Sequence, residues 1–205
     1  MSPNPQSPCT AFLGTERIAS GDLHAVAAEV KSRTDRGDAA PLLIFDDATS
    51  QPVEIDLRGT LEEVLARLPK PPETEEAAGE NAEASRQPGR PKLGVVAREV
   101  TLLPRHWEWL GTQPGGASVT LRKLVEEARK SHAEDDRLRE RREAAYRFMT
   151  AMAGNEAGFE EAIRALFAGQ REPFEQSLQS WPPDVREHAR VLAEETFSTG
   201  EVTPP

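Results

Sequence analysis

Four histidines, one cysteine and a pair of carboxylates at the end of an apolar run are the first candidates for chemistry, and their spacing argues against it. His24, His106, His132 and His188 form no H-x-x-x-H or E-x-x-H pattern. The one-turn spacing by which a helix offers two metal ligands on one face is therefore missing. Cys9 is alone, which leaves neither a disulfide framework nor a thiolate metal set. Asp184 and His188 stand one helical turn apart and read as a surface pair. Leu42-Leu-Ile-Phe45 delivers Asp46 and Asp47, the setting of a nucleophilic carboxylate in phosphoryl transfer. However, the second carboxylate of a D-x-D-x-T pattern is Ala48, and Val53–Leu57 returns as a strand too soon for a crossover helix. Asp46–Ser50 reads instead as a hairpin loop whose Asp side chains accept from nearby amides. G-x-S-x-G and phosphate-loop patterns are absent. No catalytic residue, metal or cofactor is expected.

Charge points elsewhere. The chain carries 25 Lys+Arg against 35 Asp+Glu, a net −10. Residues 86–131 hold nine basic and four acidic side chains, a local +5 in an otherwise acidic sequence, and such asymmetry marks where a polyanion would bind. Within this segment Val96, Val100 and Leu102 share one face of a strand, with Ala97, Glu99 and Thr101 on the other. Pro104 suits the first position of a helix whose stripe is Leu103, Trp107 and Leu110. Pro114-Gly115-Gly116 must turn, and Ser118 is the N-cap candidate of a second helix burying Leu121, Leu124, Val125 and Ala128.

One strand and two helices fall below the ~40 residues that an unassisted fold usually needs. A two-fold dimer closes the core by pairing strand 96–102 with its copy. The segment resembles the ribbon–helix–helix DNA-binding proteins in Val100-Thr101-Leu102, Leu110 and Gly116-Ala117-Ser118. The resemblance implies that Ala97, Glu99 and Thr101 face the major groove of double-stranded DNA. It also implies that Ser118, Val119 and Thr120 open the second helix against a phosphate. Glu99 would then turn a carboxylate towards phosphates, Ala97 offers only apolar contact, and Arg98 falls on the inward face. Just upstream, Pro88-Gly89-Arg90-Pro91-Lys92 resembles the core of an AT-hook, with Pro88 where the usual first Arg belongs. Arg90 and Lys92 would form a basic arm.

The elements that must position these residues follow from periodicity. The sequence predicts an α+β protein: a disordered tail 1–8, a small ββαββα domain over 9–68, a Pro/Glu-rich linker over 69–92 ending in the basic arm, the ribbon–helix–helix-like segment 93–131, a helical C-terminal region 132–198 and a tail 199–205. Asp22 caps a helix carrying Leu23, Val26, Ala27 and Val30, and Thr60 caps one carrying Leu61, Val64, Leu65 and Leu68. With Val53–Leu57 counted, the sheet has about four strands. The linker is expected to be mobile from 71 to 88, since nothing there offsets the entropy of ordering it. C-terminal helices are expected near 136–152, 156–169, 172–180 and 184–197. Their shared core is Phe148, Met149, Met152, Phe159, Ile163, Leu166, Phe167, Phe174, Leu178, Trp181, Val185 and Leu192. No apolar run approaches the ~20 residues of a membrane helix, and the lone cysteine and absent signal peptide suit the cytoplasm.

Three features together resemble one bacterial group, domain-of-unknown-function family 2239. They are Leu43-Ile-Phe-Asp-Asp-Ala-Thr49, the stretch Gly89–Arg129, and Tyr146-Arg-Phe-Met-Thr-Ala-Met-Ala-Gly154 with the following Gly158-Phe-Glu-Glu-Ala. The resemblance implies a bacterial cytoplasmic protein and transfers no catalytic residues. Function rests on the central motif: a dimeric DNA-binding transcriptional regulator, or a protein-interaction and dimerisation module without DNA.

Overall fold

A computed structural model describes residues 7–69, 96 and 98–197. The tails, most of the linker, and Arg90, Lys92 and Ala97 lie outside the described residues. Along the chain come β1 (Cys9–Leu13), β2 (Glu16–Gly21), α1 (Leu23–Asp35), β3 (Leu42–Asp46) and α2 (Leu61–Arg67). Then follow α3 (Pro104–Thr112), α4 (Gly116–Ser131), α5 (Ala133–Ala153), α6 (Phe159–Ala168), α7 (Arg171–Ser177) and α8 (Pro183–Phe197). The described residues fall in two compact units: one takes 7–69 with 134–197, and the other takes 96 and 98–133.

In the first unit the antiparallel sheet has the order β2-β1-β3. The predicted caps are present. Asp22 Oδ1 accepts from the His24 and Ala25 amides at 2.9 and 3.0 Å. Thr60 and Glu63 exchange side-chain-to-backbone bonds in a capping box, which satisfies two of the amides left open at a helix start. The fourth strand does not form. Val53–Leu57 reduces to one bridge between Phe45 and Pro52, followed by a bond from the Val53 N–H to the Ile44 carbonyl at 2.8 Å. The Asp46 N–H completes this bridge by donating to the Gln51 carbonyl at 3.0 Å, and among the described residues no further backbone bond continues the ladder. The loop before it is as expected: Asp46 Oδ1 accepts from the Ala48 and Thr49 amides and from Thr49 Oγ1.

Both faces of this sheet are covered. Cys9, Ala11, Ile44 and Val53 pack with Leu23, Val26 and Val30 of α1. Phe12 and Phe45, which point to the other face, join Phe148 and Met149 of α5, Leu166 of α6, Phe174 of α7 and Val185 and Leu192 of α8. The N-terminal and C-terminal segments, read from the sequence as separate regions, share this core. Double burial explains why Leu42–Phe45 is apolar without alternation. It also pushes the Cys9 thiol up to about 11, which makes it an inert core group.

The C-terminal helices lie close to the expected bounds. Most of the predicted core residues pack there, with Met152, Phe159 and Ile163 partly buried, while Phe167 is exposed beside Tyr146 at a ring-centroid distance of 6.0 Å. Gly158 caps α6 at φ 83°, where a Cβ would sit 2.5 Å from the Ser177 carbonyl oxygen. That close approach lets the chain run from α5 into α6 beneath Trp181, whose indole N–H donates to the Ala157 carbonyl at 3.0 Å.

Because Phe12 stands in the shared core, Phe12→Ala is expected to destabilise sheet and helices together. The cost should be about 3–5 kcal/mol, read as a parallel loss of hydrogen-exchange protection in β1 and α8. Loss confined to the sheet would mean that the two segments fold independently.

Candidate interaction site

The central segment is a helical hairpin, and its packing is sparse. Pro104 opens α3 as predicted, behind Leu103 as N-cap. Gly115 at φ 87° and Gly116 at φ 73° make the turn, a backbone conformation that glycine takes without steric cost. This moves the start of α4. Gly115 is the N-cap, so Ser118 is the third helical residue rather than the cap. Glycine at the turn lets the helix begin before the hydroxyl is needed.

α3 and α4 pack against each other, yet Leu110, 2% exposed, is the buried residue of α3 and α4 has none. The predicted stripes are therefore displaced from burial to exposure. Trp107 is 44% and Trp109 50% exposed, and Leu103, Leu124 and Val125 are exposed with them. Two helices give each other one line of contact, and the remaining apolar side chains are exposed among the described residues. Trp109 was not in the predicted stripe. The signal that could have found it is a helix with two indoles two residues apart, which cannot face one partner together.

The expected strand does not form within one chain. Residues 98–103 take no regular secondary structure, and among the described residues no backbone hydrogen bond ties 98–102 to a strand. A strand needs a neighbour's N–H and C=O groups, and the described residues supply none here. Glu99 and Thr101 lie exposed on this segment, as does Arg98, which was expected to face inward. Ser118 is exposed in the first turn of α4, while Val119 and Thr120 are half-buried. Val119 lies over Gly115, within 3.2 Å of where its Cβ would stand. Glu99, Thr101, Ser118, Val119 and Thr120 thus belong to one unit. Arg90, Lys92 and Ala97 are outside the described residues.

Residues 98–131 carry six basic and four acidic side chains, all of them exposed. Arg129 pairs with Glu126 at 3.2 Å, and Arg122 Nε donates to the Ser118 carbonyl at 3.1 Å. Arg105, Arg122, Lys123 and Lys130 have no carboxylate in ion-pair range among the described residues. Elsewhere, Asp184 and His188 are not a surface pair. Asp184 Oδ2 accepts the Arg17 backbone N–H at 2.9 Å, while His188 is buried. The Phe12 and Phe148 rings draw the imidazole into the core, which helical spacing alone does not reveal.

A cleft of about 590 Å3 is an open groove on the first unit lined by Arg164, Gln170, Gln176 and Gln179, among others. Its hydroxyls are already used: Ser177 Oγ donates to the Pro173 carbonyl and Ser180 Oγ to the Ala157 carbonyl. Among the described residues no group of three or more His, Cys, Asp or Glu is placed to hold a metal ion. No described helix is long and apolar enough to cross a membrane.

With one buried residue between its helices, the hairpin should respond sharply to Leu110→Asp. Hydrogen exchange should show lost protection over α3 and α4 with α6–α8 unchanged. Retained protection in α3 would mean that another contact holds the hairpin.

No curated protein and no solved structure matches the chain. One family does, described as an uncharacterised protein conserved in bacteria, over residues 8–193. That span takes in both halves of the shared core and the hairpin between them, and the chain belongs to this family, domain-of-unknown-function family 2239.

Proposed function

We propose that the chain is a dimeric DNA-binding protein of regulatory type, in which residues 96–131 pair with a second copy and, together with the basic arm of Arg90 and Lys92, bind double-stranded DNA. The observation that carries this reading is the exposed apolar side chains of α3–α4, preceded by residues 98–102 that have no ladder partner among the described residues. A two-fold copy supplies both missing partners at once: a second hairpin for Leu103, Trp107, Leu124 and Val125, and an antiparallel neighbour for 96–102. In that arrangement Ala97, Glu99 and Thr101 lie on a two-stranded ribbon of a width the major groove admits. Ser118, Val119 and Thr120 stand at the start of α4 for a phosphate, and Arg90 and Lys92 form the arm. The reading assigns no catalytic step.

A second reading keeps the dimer and drops DNA. Glu99 favours it, being an exposed carboxylate on the segment that would face the groove, and so does the net −10 of the chain, which opposes long-range approach to phosphates.

Val100→Pro removes a ladder donor and is expected to convert a dimer into a monomer in sedimentation. A monomeric parent, or a dimeric variant, would overturn the pairing. Salt titrations against random duplexes then separate the two readings. Replacing Arg90 and Lys92 with Ala should weaken binding to all duplexes, with the salt slope falling by about 1 per lost phosphate contact. Glu99→Gln should raise general affinity, whereas Thr101→Ala should alter sequence preference by roughly 1–3 kcal/mol. Failure of the dimeric parent to bind DNA at low salt leaves the dimerisation module.

A further inference from the structure

The seam between the sheet and the helices of the first unit contains one ionisable ring. His188, on α8, is 5% exposed. Its imidazole lies tilted on Phe148 of α5 at a centroid distance of 4.5 Å and meets Phe12 of β1 edge-on at 5.5 Å. Nε2 is buried and has no hydrogen-bond partner. Asp184, one turn earlier on the same helix, has an oxygen committed to the Arg17 backbone N–H. From β2, the Arg17 guanidinium is the charge that bears on the ring, and Asp47, after β3, bears in turn on Arg17. The elements packed against His188 therefore offer it two aromatic rings and a cation.

A neutral imidazole fills this cage as a flat aromatic body. Protonation would place an N–H without an acceptor and a second positive charge beside Arg17, in a region where an unpaired charge is costly. We propose that His188 is an acid-operated latch: in its neutral form it holds α5 and α8 against β1, and on protonation it releases the sheet from the helices. Burial, with a smaller contribution from Arg17, lowers its pKa to about 4 from 6.5. The sign follows from linkage. The folded chain keeps the free base, so this stabilisation is complete above about pH 6.5. It is lost as pH falls towards 4, because the unfolded chain takes up the proton first.

The test compares urea unfolding and hydrogen exchange of the full chain with His188→Leu and His188→Phe at pH 7 and pH 5. Between these values the unfolding constant of the parent should rise about 20-fold more than that of either variant. Protection in β1 and α8 should fall before that in α6 and α7. Equal pH dependence in parent and variants overturns the latch, and so does uniform loss of protection across all elements. Should both variants fail to fold, the NMR signals of the His188 ring in the parent decide. A ring that stays neutral down to pH 5 supports the latch, and one that titrates near 6.5 in the folded chain refutes it.

Discussion

Phe148 meets Phe12 at 5.4 Å and Phe45 at 5.3 Å between ring centroids, and these contacts join residues more than a hundred positions apart. Large rings bury more apolar area than any other side chains and gain further from edge-to-face geometry. Without Phe148 and its neighbours, the face of the sheet that carries Phe12 and Phe45 would leave both rings in water. With them, both faces are dry and the sheet becomes the middle layer of the first unit. The caps on α1 and α2, the Asp46 turn and the Gly158 approach all serve to bring short elements onto this layer.

One consequence concerns the middle of the sequence. Because its two flanks share a core, the stretch from 73 to 133 is an insertion between two halves of a single unit. Within residues 100–125, Leu110 is buried while two indoles and four aliphatic side chains are exposed. Scattered apolar residues on a surface need no explanation, but six large ones exposed within 26 residues are uncommon. The first unit is organised inwards and the hairpin outwards, and this contrast locates the functional reading.

Helix positions were largely legible in the sequence. α1, α2, α3, α5 and α8 follow from apolar spacing with Asp22, Thr60, Pro104 and the Gly and Pro stops, because these signals act within one or two turns. The turn at Asp46 was legible for the same reason, since its acceptor and donors are neighbours. The run Leu42–Phe45 also carried information, as four apolar residues without alternation require cover on both faces. What the run could not name was the second cover, which comes from α5 and α8.

Where local chemistry stops, tertiary structure decided. Asp184 and His188 have the spacing of a surface pair, and only the arrival of Phe12 and Phe148 makes one of them core. Val53–Leu57 alternates as a strand should, but pairing is a property of two segments, and here it stops after one bridge. Leu103, Trp107, Leu124 and Val125 are written as buried stripes, and the single chain leaves them exposed. Periodicity states which side of an element is apolar. Whether that side is covered depends on a partner surface, which the spacing of residues along one segment does not encode.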